Sequence, residues 1–123
     1  MHRFVISALV LFLAACSSLA PTPTPTLSAE LSEGIRAFNA YCSACHSTNA
    51  DTIVVGPSLA GIATKGGERI QDMDAEMYIR KSILEPDAYT VEGFPEGMMP
   101  IALKNDLTDE EMEAVIRYLL TLE

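Results

Sequence analysis

A chain of 123 residues has room for one domain of ordinary size and no second independent core. Its 17 Asp and Glu against 8 Lys and Arg give a formal charge of −9, which disfavours nucleic acid, whose phosphates need cations, and favours a partner with a basic docking surface. Apolar residues make up 49%, but they crowd the N-terminus, so the mean hydropathy of +0.21 does not mark a membrane-embedded protein.

The chain opens MHRFVISALVLFLAAC, with His2 and Arg3 ahead of an apolar run over residues 4–15 broken only by Ser7. That run is shorter than the roughly 20 apolar residues a spanning helix takes. A charged start, an apolar centre and a small-residue end read instead as a secretory signal over residues 1–15. Leu13-Ala14-Ala15-Cys16 resembles a bacterial lipobox, in which cleavage leaves a lipidated Cys16 at the new N-terminus, and more than one acyl chain gives stable anchoring. The alternative is an ordinary signal cut near Ala20. Residues 16–27, with Pro21, Pro23 and Pro25 alternating with threonines, form a linker. Extended proline-rich backbone rises about 3.1 Å per residue, so the linker reaches roughly 35 Å from the membrane. The expected location is the outer face of a bacterial cytoplasmic membrane, the domain itself being residues 28–123. Without the signal the chain keeps seven Lys and Arg against 17 Asp and Glu, a formal −10.

Over residues 28–41, Leu31, Ile35, Ala37 and Phe38 recur at helical spacing with Gly34 beside them, Ser28 able to cap and Glu30 suited to the first turn. A glycine in mid-helix costs about 1 kcal/mol relative to alanine, which a close crossing with another helix explains. Residues 51–67, rich in glycine, read as loop with a single helical turn around 59–63. A second helix is predicted over 74–85, capped by Asp74 and stopped by Pro86, with Met77, Ile83 and Leu84 inward. Residues 86–104 carry Pro86, Pro95, Pro100, Gly93 and Gly97 and cannot be one regular element. The last helix has a capping box in Thr108-Asp109-Glu110-Glu111, a staple between Leu107 and Met112, and an apolar stripe of Met112, Val115, Ile116 and Leu119. No segment reads as a strand, so the fold class is all-α. Long loops between few helices in about 95 residues cost entropy that a small core cannot offset, so a large apolar cofactor is expected to complete the core.

Cys42-Ser43-Ala44-Cys45-His46 is C-x-x-C-H, the arrangement for c-type haem attachment. Two thiols three positions apart reach the two vinyl groups on one porphyrin edge, and the adjacent imidazole reaches iron. Three rivals compete. A structural zinc site needs four ligands, and the exported chain offers only Cys42, Cys45 and His46 as soft or imidazole donors. A thioredoxin-like dithiol belongs in a βαβ context. A disulfide closing so short a loop adds little stability. His2 leaves with the signal, so a bis-histidine haem within one chain is excluded and a methionine thioether is the leading sixth ligand. Met73 precedes the second helix, and Met77 and Met112 are expected core residues. Met98 and Met99 lie in the loop before the last helix. Pro100 biases Met99 towards extended backbone, which favours Met99, with Met98 as the fallback.

From about Gly34 onwards the chain resembles a class I cytochrome c. Gly34-x-x-x-Phe38, C-x-x-C-H, Gly56-Pro57-Ser58-Leu59, Met99-Pro100 and a capped C-terminal helix bearing Tyr118 occur in that family's order. The stretch around residues 78–88, followed by Gly97-Met98-Met99-Pro100, is also similar to cytochrome domains fused to subunit II of some haem-copper oxidases, without ligands for a copper centre. The resemblance implies three to five helices around one covalent haem c, a terminal-helix crossing at Gly34 packed by Tyr118, and a Pro57 carbonyl that orients His46. It implies a one-electron carrier of a bacterial respiratory or photosynthetic chain rather than an enzyme, meeting redox partner proteins and no small-molecule substrate. The alternatives are a haem-based ligand sensor and an electron-entry subunit of a larger oxidoreductase complex. Arg69, Arg80 and Lys81 are candidate partners of the haem propionates, with surface solubility as the competing reading of each.

Overall fold

The computed structural model of the protein describes residues 26–123. The expected signal, the lipidation at Cys16 and nearly all of the linker lie outside the described residues. Among the described residues there are five α-helices and no strand, as the all-α reading expects: α1 (Thr26–Tyr41), α2 (Ile62–Arg69), α3 (Ala75–Leu84), α4 (Leu103–Asp106) and α5 (Asp109–Leu119), with a 3₁₀ turn at Pro86–Ala88. None of these helices is long and apolar enough to cross a membrane.

Helix α1 begins at Thr26, so Ser28 lies inside it and is not its cap. Gly34, Ala37 and Phe38 are buried and Tyr41 half-buried, which sets the inward stripe. Ile35, expected inward, is 39% exposed. It lies about 100° round the helix from Gly34, where α5 crosses. A Cβ at Gly34 would stand 2.3 Å from the Ala114 carbonyl oxygen and 2.6 Å from Tyr118 Cβ, so only glycine lets the two backbones approach this closely. Tyr118 packs edge-on against Phe38 at 5.6 Å between centroids.

Helix α5 starts at the expected capping box. Thr108 Oγ1 accepts from the Glu111 amide at 3.2 Å and the Glu111 carboxylate accepts from the Thr108 amide at 3.1 Å. Leu107 and Met112 are both buried beside it, and Val115 and Ile116 are the most fully enclosed large side chains.

Helix α2 corrects the sequence reading, which expected one turn followed by loop. It runs to Arg69 through Gly66 and Gly67. A Cβ at Gly66 would meet Tyr78 Cδ1 at 3.2 Å and Ala75 Cα at 3.3 Å, so the glycine's poor helix propensity is offset by close packing of α2 on α3. Helix α3 is capped as expected, the Asp74 side chain accepting from the Met77 amide at 2.8 Å. Its buried positions are Ala75, Tyr78, Ile79 and Ile83, and Leu84 is half-buried. Met77, expected inward, is 47% exposed because the stripe chosen by α2 runs through its neighbours. One cluster built on Phe38, Tyr78, Ile79, Ile83, Met112 and Val115 joins α1, α3 and α5, and Met73, Leu59 and Met99 pack against its edge.

Candidate functional site

The turn after α1 prolongs the helix and carries the cysteine motif. The amides of Cys42 and Ser43 donate to the Phe38 carbonyl at 2.8 and 3.0 Å, and those of Cys45 and His46 donate to the Cys42 carbonyl at 3.0 and 2.9 Å. Both thiols are free and half-buried, so they form no disulfide. Burial, with Cys45 close by, pushes the Cys42 thiol up to about 11, so the thiol remains protonated at neutral pH.

His46 Nδ1 donates to the Pro57 carbonyl oxygen at 2.8 Å. A carbonyl only accepts, so Nδ1 carries a proton, which leaves Nε2 as the ring nitrogen able to ligate a metal. The loop beyond holds this ring in place. Val55 and Gly56 amides donate to the Cys45 carbonyl at 3.1 and 2.9 Å, and the Leu59 amide donates to the Ser47 carbonyl at 2.8 Å. A Cβ at Gly56 would stand 2.5 Å from His46 Cε1, so the absence of a side chain is what admits the imidazole.

These groups wall a cleft of about 990 Å³, open mouth included, that also touches Leu59, Ile79, Ile83, Leu119, Met98 and Met99. A second lobe of about 500 Å³ shares Cys42, His46, Val55, Gly56 and both methionines and adds Cys45, Tyr41 and Leu103. Met98 is 52% exposed, whereas Met99 is half-buried against the core. Among the described residues no three His, Cys, Asp or Glu side chains converge as a metal cage, which removes the zinc alternative. No strand among them supplies the βαβ setting of a thioredoxin-like dithiol. An apolar slot bordered by two free thiols and an imidazole oriented through Nδ1 fits a covalently held haem.

A family model for cytochrome c matches residues 31–123. The chain belongs to the cytochrome c family. A comparison with curated proteins returns no match. This cytochrome c therefore takes a covalently bound haem c, with Cys42 and Cys45 at the attachment spacing, and is a haem-based electron carrier that meets redox partners. The bound haem supplies one-electron chemistry at iron. The polypeptide fixes the thiols, orients the imidazole through Pro57 and encloses the site in apolar side chains.

Sequence reasoning passed over part of this cytochrome's cleft. Tyr78 and Tyr89 line it as an edge-to-face pair at 5.9 Å, and Val55 borders both lobes. The signal for Tyr78 was its place at the start of the stretch that resembles oxidase-fused cytochrome domains, which by itself names no cleft. The propionate candidates separate in space: Arg69 lines the cleft, whereas Arg80 pairs with Glu113 and Glu76, and Lys81 with Glu85.

Proposed function

We propose that the protein is a monohaem carrier whose iron is held by His46 and Met99, anchored through a lipidated Cys16 to the outer face of a bacterial cytoplasmic membrane and passing single electrons along a respiratory or photosynthetic chain. The observation that carries the ligand pair is the contrast between the methionines. Met99 borders the same cleft as His46 and is half-buried against the core; Met98 borders it but is largely exposed; Met73, Met77 and Met112 do not line it. A methionine ligand opposite histidine raises the reduction potential relative to a second histidine. Filling both axial positions from the chain leaves no place for a small-molecule substrate, which favours electron transfer over ligand sensing.

The acidic balance supports a redox partner with a basic docking surface. A lipid anchor confines the carrier near that partner and raises its effective concentration. The deciding experiment is the optical spectrum of the haem-loaded protein in wild type, Met99→Ala and Met98→Ala. Loss of the weak far-red thioether-to-iron band in Met99→Ala alone is expected, together with a reduced spectrum in wild type that carbon monoxide leaves unchanged. A band that survives Met99→Ala, or a wild-type protein that binds carbon monoxide readily, sinks the ligand pair. Mass spectrometry of the mature N-terminus tests the anchor separately, and an unmodified Cys16 overturns it.

A further inference from the structure

The proline that orients His46 has one backbone freedom left. Its ring locks φ at about −65°, and without an N–H it donates no bond of its own. The remaining rotation, ψ, swings the Pro57 carbonyl and is set by where the next residue sits, because the peptide between them is planar. That carbonyl accepts the 2.8 Å bond from His46 Nδ1. The placing of Ser58 therefore decides how well the bond is aligned, although Ser58 lines neither lobe of the cleft. Its hydroxyl donates to the Asn49 carbonyl at 2.7 Å and accepts from the Ala60 amide at 3.2 Å, with the Ser47 carbonyl oxygen 3.5 Å away. Around it, the Leu59 amide donates to the Ser47 carbonyl at 2.8 Å, and Ser47 Oγ accepts from the Asn49 amide at 2.9 Å. Residues 47–49, directly after the imidazole, are thus laced to residues 58–60, directly after the proline.

We propose that Ser58 is a positioning residue for the redox site: by clamping residues 58–60 to residues 47–49 it fixes the angle of the Pro57 carbonyl on His46 Nδ1 and, through that bond, holds the reduction potential down. A hydrogen bond to its second nitrogen makes a ligating imidazole more basic, and a more basic ligand favours ferric over ferrous iron. The other side of the proline is already fixed, since the Val55 and Gly56 amides are tied to the Cys45 carbonyl. The imidazole is packed against Gly56, where a Cβ would stand 2.5 Å from His46 Cε1. With the ring and the start of the turn both held, slack introduced at Ser58 falls on the Pro57 carbonyl and weakens its bond to Nδ1. The serine hydroxyl is suited to the clamp because it donates and accepts at once, on backbone groups nine positions apart in one direction and two in the other.

The inference rests on haem attachment at Cys42 and Cys45 with His46 on iron, and is independent of which methionine completes the site. Its test is a pair of readouts on haem-loaded wild type, Ser58→Ala, Ser58→Thr and Thr121→Ala, with covalent haem verified by mass in every sample: the reduction potential, and exchange of the His46 Nδ1 proton followed by NMR. Ser58→Ala is expected to raise the potential and to speed Nδ1 exchange by roughly 2- to 10-fold, the equivalent of one net hydrogen bond. Ser58→Thr, which keeps the hydroxyl, should restore both. Thr121→Ala removes a hydroxyl-to-carbonyl bond of the same kind, to Tyr118 at 2.7 Å, outside the loop, and should move neither. A wild-type potential or a wild-type exchange rate in Ser58→Ala, a displacement as large in Ser58→Thr, or an equal one in Thr121→Ala overturns the proposal. If Ser58→Ala does not hold haem, the Ala60 amide of the wild type decides alone: exchange slower than that of an unprotected amide by about tenfold or more supports the clamp, and anything less overturns it. Absence of covalent haem from wild type would instead overturn the attachment on which the inference rests.

Discussion

A methyl group at position 56 would collide with the imidazole of His46, and neither can easily yield, since Nδ1 is tied to the Pro57 carbonyl and the Gly56 amide to Cys45. Gly56→Ala is therefore expected to destabilise the haem-loaded protein by about 1–3 kcal/mol, the usual range for overpacking, and to alter the axial-ligand spectrum. Unchanged melting and an unchanged spectrum would show that the ring has room to move. The two cysteines offer a second check before haem is attached. Burial raises Cys42 to about 11, so alkylation of its thiolate in the haem-free protein should increase about tenfold per pH unit up to that value. A midpoint at the ordinary thiol value of about 8.5 would show that the apo cleft admits more water than the packing around Cys42 implies.

At the scale of elements, the crossing of α1 and α5 makes the sharpest prediction. Alanine is a better helix former than glycine by about 1 kcal/mol, so at an open position Gly34→Ala would stabilise the helix. Here the obstacle is the backbone carbonyl of Ala114, which has no rotamer to turn away, and overpacking of about 1–3 kcal/mol or more wins. A denaturation midpoint below wild type is the expected outcome, and a higher one would mean that the helices can separate freely. Which elements were legible follows from the same physics. The Thr108–Glu111 box, the burial of Leu107 and Met112 on either side of it and the Asp74 cap are local, and the residues involved lie within a few positions of one another. Helix α2 was hidden because its glycines argue against a helix, and only contact with Tyr78 and Ala75, outside the segment, outweighs them. Ile35 and Met77 were misplaced for a related reason. Each stands beside a buried residue on a helix with apolar side chains on two faces, and the partner helix alone decides which face turns inward. The attachment motif was legible because chemistry fixes its spacing, and Gly56-Pro57 because it stands in the order that the resemblance to class I cytochrome c implies; Tyr89 was not, because its contact with Tyr78 is set by the path of the loop.

On the scale of the molecule, charge and apolar surface are separated. The protein as a whole is strongly acidic, yet no Lys, Arg, Asp or Glu lines the smaller lobe, whose rim includes the exposed Val55 and Met98. Long-range attraction and final contact should therefore respond differently to salt. The Debye length shrinks from about 30 Å at 0.01 M to about 8 Å at 0.15 M, so association with a basic redox protein is expected to slow across that interval. Electron transfer within the bound complex should change little if the haem edge is met over the smaller lobe, whose lining carries no Lys, Arg, Asp or Glu to screen. Stopped-flow kinetics separate the second-order and first-order rates, and an association rate indifferent to salt would contradict steering by the acidic surface.

Helix α1 enters at Thr26 and delivers the chain to Cys42 one residue past its other end. Sixteen residues at about 1.5 Å each make a rigid rod of roughly 24 Å. The N-terminal end of α1 is thus a full helix length from the cysteines that carry the redox group. If the chain is moored through Cys16 as proposed, α1 would act as a standoff between that anchor and the cysteines that hold the haem. Shortening the linker would restrict the arc swept by the haem without drawing its attachment point down to the anchor, because the rod between them does not fold up.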